Sequence, residues 1–221
     1  MKTEIKAWVF DAYGTLFDPL SVQSAGEMVF PGRGEALSRL WRSRQLEYTW
    51  LRALMNRYVD FWQVTREALV YACHSLGLRC DAKQQAELMQ EYLRLEPYPD
   101  VASALRFFQG KPLAILSNGS PRMLAAVVEH AGLAQVFATL LSVDKVRTYK
   151  PCPAVYQLAV DELAMKGNEI GFVSSNFWDA AGASAFGFPA FWLNRSNAPA
   201  DELGILPAAT VTNLRQLADS C

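Results

Sequence analysis

Short apolar segments that alternate with helical patterns constrain this chain of 221 residues more than any other feature. Each segment has the length of a β-strand and is bounded by turn-forming residues, and the helical patterns lie between the later segments. Such alternation predicts an α/β fold in which helices cover both faces of a parallel sheet. The predicted strands span residues 7–10, 113–116, 140–143, 170–173 and 190–193, and the predicted helices between them span 123–131, 154–164 and 180–186.

About a hundred residues separate the first two predicted strands, which is too long for a loop inside a compact domain. Most of this segment has helical periodicity, so we predict a helical cap of residues 17–96. The cap interrupts an α/β core domain made of residues 1–16 and 97–221. The candidate cap helices span residues 33–58, 61–76 and 82–95.

Aromatic and aliphatic side chains of residues 48–62 fall mostly at helical spacing. A buried face of the cap is the simplest interpretation of this pattern. A subunit interface and an apolar lid over a binding site fit it as well, and the sequence does not separate the three.

Composition and charge argue against several classes of protein. The formal net charge is −1 at pH 7, so the chain as a whole has no field that would attract nucleic acid or an anionic membrane surface. Hydrophobic residues make up 51% of the chain, which suffices for a full core. Because no signal peptide and no unbroken apolar run of about twenty residues is recognisable, we expect a cytoplasmic protein. Four cysteines without CxxC spacing are expected to be reduced thiols, namely Cys73, Cys80, Cys152 and Cys221.

Polar residues follow four of the predicted strands, at the edge where open parallel sheets bind their ligands. A carboxylate, an ammonium group, hydroxyls and an amide are therefore predicted to lie close together. In strand order these residues are Asp11 and Thr15, then Ser117 and Asn118, then Lys150, and finally Ser174, Asn176 and Asp179.

Each of these residues taken alone has a simpler interpretation. An aspartate such as Asp11 at the end of a strand often caps a turn, and Lys150 has the position of a solvated lysine before a helix. Asn176 and Asp179 are also compatible with capping a helix that begins near Trp178. The functional interpretation depends on finding all of them in one chain.

Five segments in order resemble the signatures of the haloacid dehalogenase superfamily, and within it those of the L-2-haloacid dehalogenases. The resemblance covers nearly the whole chain. It implies a Rossmann-like parallel sheet core with an inserted helical cap, and an enzyme that removes halide from small L-2-haloalkanoic acids. It also implies a homodimer that needs no metal or cofactor. The segments are FDAYGTLFD, WRSRQLEYTWLRALM, LSNGS, YKPCPAVYQLA and SSNFWDAAGASAFGF.

The resemblance assigns a role to each polar candidate. Asp11 would attack the halogen-bearing carbon with inversion, and water would then hydrolyse the covalent ester to a 2-hydroxy acid. Lys150 would keep Asp11 ionised, while Asp179 and Asn176 would help to hold Lys150 and the hydrolytic water. The remaining catalytic candidates are Thr15, Ser174, Tyr156 and Arg42.

The same resemblance implies a substrate pocket. Arg42 would reach over the site from the cap and receive the departing halide or the substrate anion. Ser117 and Asn118 would donate hydrogen bonds to the substrate carboxylate or to the Asp11 oxygens. Phe177 stays without an assigned effect on the pocket. The expected pocket wall consists of Tyr13, Leu46, Phe61 and Trp178.

The chemistry of the leaving group separates this reaction from phosphate-ester cleavage. Phosphatases of the superfamily have a second aspartate two positions after the nucleophile, which protonates the leaving alkoxide, and here that position is Tyr13. A halide leaves without a proton, and a haloacid with one charge has no need of Mg²⁺ to shield the nucleophile. A Mg²⁺-dependent small-molecule phosphatase stays open as an alternative. A non-catalytic protein on the same fold is a third, although intact Asp11, Lys150 and Asp179 argue against it.

Overall fold

The computed structural model describes residues 4–108 and 110–218. Within them six strands form one sheet in the order β3-β2-β1-β4-β5-β6, and every neighbouring pair is parallel. Strands β1, β2 and β4 are buried at every position, which explains their continuous apolar sequences. The strands are β1 Ala7–Phe10, β2 Leu113–Ser117, β3 Thr139–Ser142, β4 Ile170–Ser174, β5 Ala190–Leu193 and β6 Ala209–Val211.

Helices occupy every connection from β1 to β5 in chain order, and the predicted α/β fold is confirmed. All five predicted strands are present and differ from the observed ones by one residue at most. The α-helices are α1 Gln23–Val29, α2 Gly34–Leu54, α3 Phe61–Ser75, α4 Ala82–Glu91, α5 Val101–Leu105, α6 Pro121–His130, α7 Pro153–Leu163, α8 Phe177–Phe186 and α9 Leu214–Ala218.

Some boundaries and short elements differ from the prediction. Helix α2 ends at Leu54 rather than at residue 58, because Asn56 has a left-handed backbone with φ of 52°. Helix α4 ends at Glu91 rather than at residue 95, and α8 begins at Phe177, three residues before the predicted start. The short elements α1, α5, β6 and α9 were not predicted from the sequence.

The cap helices α1 to α4 lie between β1 and β2. The indole of Trp41 in α2 donates a hydrogen bond of 2.7 Å to the carbonyl of Thr65 in α3, and both residues are buried. The chain leaves and re-enters the core side by side, since Phe17 forms an antiparallel bridge with Pro97. This juxtaposition supports our proposed division into a cap of residues 17–96 and a core of residues 1–16 and 97–221.

No helix of the described residues combines the length and the apolar character needed to cross a membrane. The thiols of Cys73, Cys80 and Cys152 are free, as expected for reduced cysteines. The fourth cysteine, Cys221, lies outside the described residues.

Candidate active site

Asp11 directly follows β1, the strand between β2 and β4 in the sheet. Its backbone N–H donates to the carbonyl of Val173 at 2.9 Å, so the main chain is held at the end of β4. The residue is only 6% exposed. Because all strands are parallel, the loops after β2 and β4 lie on either side of this carboxylate.

The two oxygens of Asp11 have different surroundings. Oδ2 accepts hydrogen bonds from Thr15 Oγ1 at 3.0 Å, Asn176 Nδ2 at 3.0 Å and Ser174 Oγ at 3.5 Å. Oδ1 accepts from Lys150 Nζ at 3.1 Å. Three neutral donors therefore fix the rotation of the carboxylate, while the other oxygen contacts a cation.

Lys150 lies between two carboxylates and is 1% exposed. Its Nζ is 3.1 Å from Asp11 Oδ1 and 2.8 Å from Asp179 Oδ2. Burial alone lowers the pKa of this amine, but the two carboxylates outweigh burial and raise the pKa above its ordinary value. The backbone N–H of Lys150 donates to Asn118 Oδ1 at 3.0 Å. This hydrogen bond connects the loop that carries Lys150 (the lysine loop) to the loop after β2.

Asp179 lies in the first turn of α8 and is fully buried. Burial raises the pKa of this carboxyl to about 6; the charge of Asp11 adds to the rise, and Lys150 and Tyr156 oppose it. Tyr156 Oη donates to Asp179 Oδ1 at 2.8 Å and to its carbonyl at 3.2 Å. The pKa of Tyr156 is well above its ordinary value, first because of burial and then because of Asp179, so its hydroxyl stays a proton donor.

Gly182 permits the close packing behind Asp179 and was not identified from the sequence. A Cβ at this position would lie 2.6 Å from Pro151 Cβ and 2.7 Å from Tyr156 Oη. Only a residue without a side chain therefore lets α7 and the lysine loop approach α8 this closely.

Thr15 is held on both sides. Its Oγ1 donates to Asp11 and accepts from the backbone N–H of Ser175 at 2.8 Å. Its carbonyl accepts from Arg195 Nη2 at 3.0 Å, and Arg195 Nη1 pairs with Asp100 at 2.8 Å. The loop that carries the nucleophile candidate is thus fastened to the ends of β4 and β5.

The loop after β2 is buried and internally bonded. Ser117 Oγ accepts from the N–H of Gly119 at 3.1 Å, and the Gly119 carbonyl accepts from Ser142 Oγ at 2.7 Å. Asn118 uses its side-chain oxygen for the Lys150 N–H, which leaves its two amide N–H donors for other partners. No direct hydrogen bond links Ser117 or Asn118 to Asp11 among the described residues.

Arg42 reaches the site from the cap. Its Nη2 donates to the carbonyl of Tyr13 at 3.3 Å and its Nη1 to Gln45 Oε1 at 2.6 Å. In the part of the chain that the structure describes, no carboxylate forms an ion pair with this guanidinium. The guanidinium of Arg42 is therefore held at the carbonyl of Tyr13, two residues after Asp11, without an acidic partner among the described residues.

The four expected pocket-wall residues differ in how deeply they are buried. The rings of Tyr13 and Phe61 lie 5.6 Å apart, and both side chains are buried. Leu46 is half-buried, one helical turn after Arg42. Trp178 is half-buried and meets Trp50 edge-on at 5.4 Å.

A cavity of about 540 Å³ opens beside the site rather than over Asp11. Its walls include Lys150 and Trp178, together with the cap residues Trp50 and Leu54. It is lined mainly by apolar atoms, and Lys150 is the charged residue in its wall.

The fold places a strand-terminal aspartate beside a buried lysine and a second acidic residue, the arrangement that the resemblance to the haloacid dehalogenase superfamily predicted. A model of the haloacid dehalogenase-like hydrolase family matches residues 5–187. The chain belongs to this family, and the resemblance predicted from the five segments is confirmed.

Several characterised relatives are similar over nearly the full chain. It is 52% identical to an (S)-2-haloacid dehalogenase of Pseudomonas sp. (strain YL), over 97% of this chain and 94% of that protein. It is 47% identical to the haloacetate dehalogenase H-2 of Moraxella sp. (strain B), over 94% of each. A solved structure of the L-2-haloacid dehalogenase from Xanthobacter autotrophicus with covalently bound chloropropionic acid superposes with a TM-score of 0.91, at 44% identity and 97% coverage of both chains.

Proposed function

We propose that this chain is an (S)-2-haloacid dehalogenase, which hydrolyses small L-2-haloalkanoic acids to (R)-2-hydroxy acids and halide. The observation that carries the proposal is the unequal environment of the two Asp11 oxygens. Such a carboxylate is oriented through one oxygen and paired through the other with the ammonium group of Lys150, an arrangement suited to a nucleophile. The names of the relatives, at 52% and 47% identity, supply the substrate class.

In the first step Asp11 Oδ1 attacks C2 of the substrate. This oxygen accepts one hydrogen bond, from Lys150, whereas Oδ2 accepts three, so Oδ1 has the more available electron pair. The new Oδ1–C2 bond forms as the carbon–halogen bond breaks, and the halide leaves with the bonding electrons. Attack opposite the leaving group inverts the configuration, so an L substrate gives an ester of the (R) acid.

In the second step water attacks Cγ of the Asp11 ester. Negative charge then develops on Oδ2, where Thr15 and Asn176 already donate at 3.0 Å and Ser174 at 3.5 Å. Donors placed before the charge develops stabilise it without reorganisation. The same three side chains thus orient the nucleophile in one step and hold the oxyanion in the next.

Asp179 accepts the proton of the attacking water in this proposal. Its oxygens are held by Lys150 and Tyr156, both at 2.8 Å. When the intermediate collapses, the Cγ–Oδ1 bond breaks, the departing alkoxide takes the proton, and the Asp11 carboxylate is regenerated with one oxygen from water. The net products are the 2-hydroxy acid, halide and one proton.

Substrate binding is assigned to the loop after β2 and to the cap. Ser117 and Asn118 are the proposed donors to the substrate carboxylate, and Arg42 is the proposed acceptor of the halide. Tyr13 and Phe61 limit access of water to Asp11, and we assign Leu46 and Trp178 to the wall that bounds the alkyl group.

Halide release from the separate L and D forms of 2-chloropropionate, in excess EDTA, tests this proposal. We expect chloride and D-lactate from the L form alone, and no release by Asp11→Asn. Activity on a phosphate ester that appears only when Mg²⁺ is restored, with no chloride from either haloacid, would contradict it.

We also propose that the enzyme is a cytoplasmic homodimer with no nucleic-acid or membrane partner. The homodimer follows from the family resemblance, and exposed apolar side chains near the end of α2 support it, with Leu54 82% and Met55 60% exposed. Sedimentation velocity checks the mass: a species of one chain at micromolar concentration would contradict the dimer. Fractionation of cells that express the chain checks its compartment.

A further inference from the structure

Gln45 is a polar side chain completely buried behind Arg42 in the cap. Its Oε1 accepts from Arg42 Nη1 at 2.6 Å, and its Nε2 donates to Thr65 Oγ1 at 2.7 Å. The amide therefore connects the guanidinium to a residue of α3. A buried amide that uses both ends in this way is held in one orientation.

The direction of this hydrogen-bonded chain is fixed by Thr65. The hydroxyl of Thr65 donates to the carbonyl of Phe61 at 2.6 Å, so only its lone pairs are left for Gln45. The amide nitrogen must then point to Thr65, and the amide oxygen must point to Arg42. Thr65 thus determines which end of Gln45 the guanidinium meets.

Arg42 differs from the other arginines of α2 in the charge of its partner. Arg39 pairs with Glu35 at 2.9 Å, Arg44 with Glu47 at 2.5 Å, and Arg52 with Glu67 at 2.5 Å. Arg42 is held instead by a neutral amide and by the carbonyl of Tyr13. Two hydrogen bonds therefore hold Arg42, and no carboxylate among the described residues neutralises its charge.

Two buried hydroxyls lie in the same region and have no hydrogen-bond partner among the described residues, namely those of Tyr13 and Tyr92. Burial raises the pKa values of both phenols, and the charge of Arg42 opposes that rise, which places both within reach of its field. The Gln45 amide lies near the Tyr92 hydroxyl but makes no hydrogen bond of normal length and angle with it. A guanidinium without an acidic partner, in a region that also holds two unpaired O–H donors, is suited to an anion.

We propose that Gln45, anchored by Thr65, is a positioning residue: its neutral amide orients Arg42 and leaves the guanidinium charge available to the departing halide. This inference rests on the proposed function, because halide is the anion that reaction releases. A carboxylate at position 45 would hold Arg42 equally well and would cancel the charge that the halide needs.

Chloride affinity, measured by the line width of chloride-35 NMR, tests the proposal on the whole chain of 221 residues. We expect Gln45→Glu to weaken chloride binding roughly 10- to 100-fold, because the new carboxylate pairs with Arg42 and cancels its charge. Thr65→Val should weaken chloride binding roughly 10-fold, because the Gln45 amide loses the hydrogen bond that fixes its orientation. Thr65→Ser keeps the hydroxyl and restores the affinity. Thr49→Val is the matched control, because Thr49 is equally buried and donates only to the Leu46 carbonyl, at 2.6 Å.

Unchanged chloride affinity in Gln45→Glu overturns the proposal, as does an equal loss in Thr49→Val. If Gln45→Glu does not fold, as judged by near-UV circular dichroism, the comparison of Thr65→Val with Thr65→Ser decides. Chloride release from L-2-chloropropionate by the wild type is measured separately. If the wild type releases no chloride from the substrate but the variants show the expected chloride affinities, the proposed function is contradicted and the positioning role of Gln45 is supported. If the wild type is fully active but the variants bind chloride as tightly as the wild type, the proposed function is supported and the positioning role of Gln45 is contradicted.

Discussion

Lys150 Nζ lies 2.8 Å from Asp179 Oδ2, and both side chains are almost completely removed from solvent. With Asp11 included, two carboxylates share one ammonium group in this buried site, so ionisation of the second carboxyl is opposed. Burial and the charge of Asp11 raise the pKa of Asp179 to about 6. A carboxyl in that range titrates within the accessible pH range of the enzyme.

The first prediction concerns the pH dependence of turnover. Asp179 accepts a proton only when it is ionised, so log kcat for L-2-chloropropionate should fall by about one per pH unit below about pH 6. Stopped-flow or steady-state rates between pH 4.5 and pH 8 measure this, given that the enzyme stays folded by circular dichroism. A profile that is flat down to about pH 5 would rule out Asp179 as the base.

The same pKa predicts the opposite trend for stability. Because the folded-state pKa of about 6 lies above the ordinary 3.8, the folded protein binds this proton more tightly than the unfolded chain does. The stabilisation from this group is complete below about pH 4 and is lost as the pH rises through about 6. The free energy of unfolding of the wild type minus that of Asp179→Asn should therefore decrease over this interval, as measured by urea denaturation.

Tyr156→Phe is predicted to shift the acid limb of the rate profile. The phenol donates to Asp179 Oδ1 at 2.8 Å and so opposes the rise in pKa of that carboxyl. Without this hydroxyl the pKa of Asp179 rises further, and the fall in kcat begins at higher pH. Tyr149→Phe is a suitable control, since it removes a buried hydroxyl that donates to the Val59 carbonyl at 2.7 Å and not to Asp179. An acid limb that stays in place would contradict the prediction.

Lys150→Met is predicted to abolish turnover and to destabilise the fold. It leaves two buried carboxylates without their cation, and removing one partner of a buried pair costs about 3–5 kcal/mol. Urea denaturation at pH 7.5 measures the loss. Lys145→Met is the control, because its ion pair with Glu162 is exposed and is worth at most about 1 kcal/mol. Equal stability losses in the two variants would contradict the buried-pair argument.

Much of the fold and of the convergence at the sheet edge could be predicted from the sequence. Strands β1, β2 and β4 are buried on both faces, and their sequences are therefore apolar almost without interruption. Parallel strands bring their carboxyl ends to one edge of the sheet. The strand order along the chain therefore predicts that Asp11, Lys150 and Asp179 lie close to one another. By contrast, β6 has two exposed residues out of three, and its sequence carries no such signal.

The supporting contacts could not be predicted, because they depend on how separate elements pack. Gln45 and Thr65 meet only because α2 packs against α3, and neither residue has a distinctive sequence pattern. The same holds for Arg195, whose contact with the Thr15 carbonyl joins residues 180 positions apart. Propensity and periodicity describe single elements, and these contacts are properties of pairs.

Gly182→Ala provides a direct test of one such contact. The added Cβ would lie 2.6 Å from Pro151 Cβ and 2.7 Å from Tyr156 Oη, so α8 and its neighbours must move apart. Overpacking of this kind costs about 1–3 kcal/mol, and the shift should weaken the hydrogen bond from Tyr156 to Asp179. We expect a lower free energy of unfolding and a lower kcat with an acid limb displaced in the same direction as in Tyr156→Phe.

The control for that variant is Gly167→Ala, where an added Cβ meets its nearest atom, Phe188 Cδ1, at an ordinary 3.5 Å. It should be close to neutral in both stability and rate. If Gly182→Ala loses stability but keeps the wild-type acid limb, the close packing serves the fold alone. The displaced acid limb therefore distinguishes a contact that only fills space from one that holds Tyr156 on Asp179.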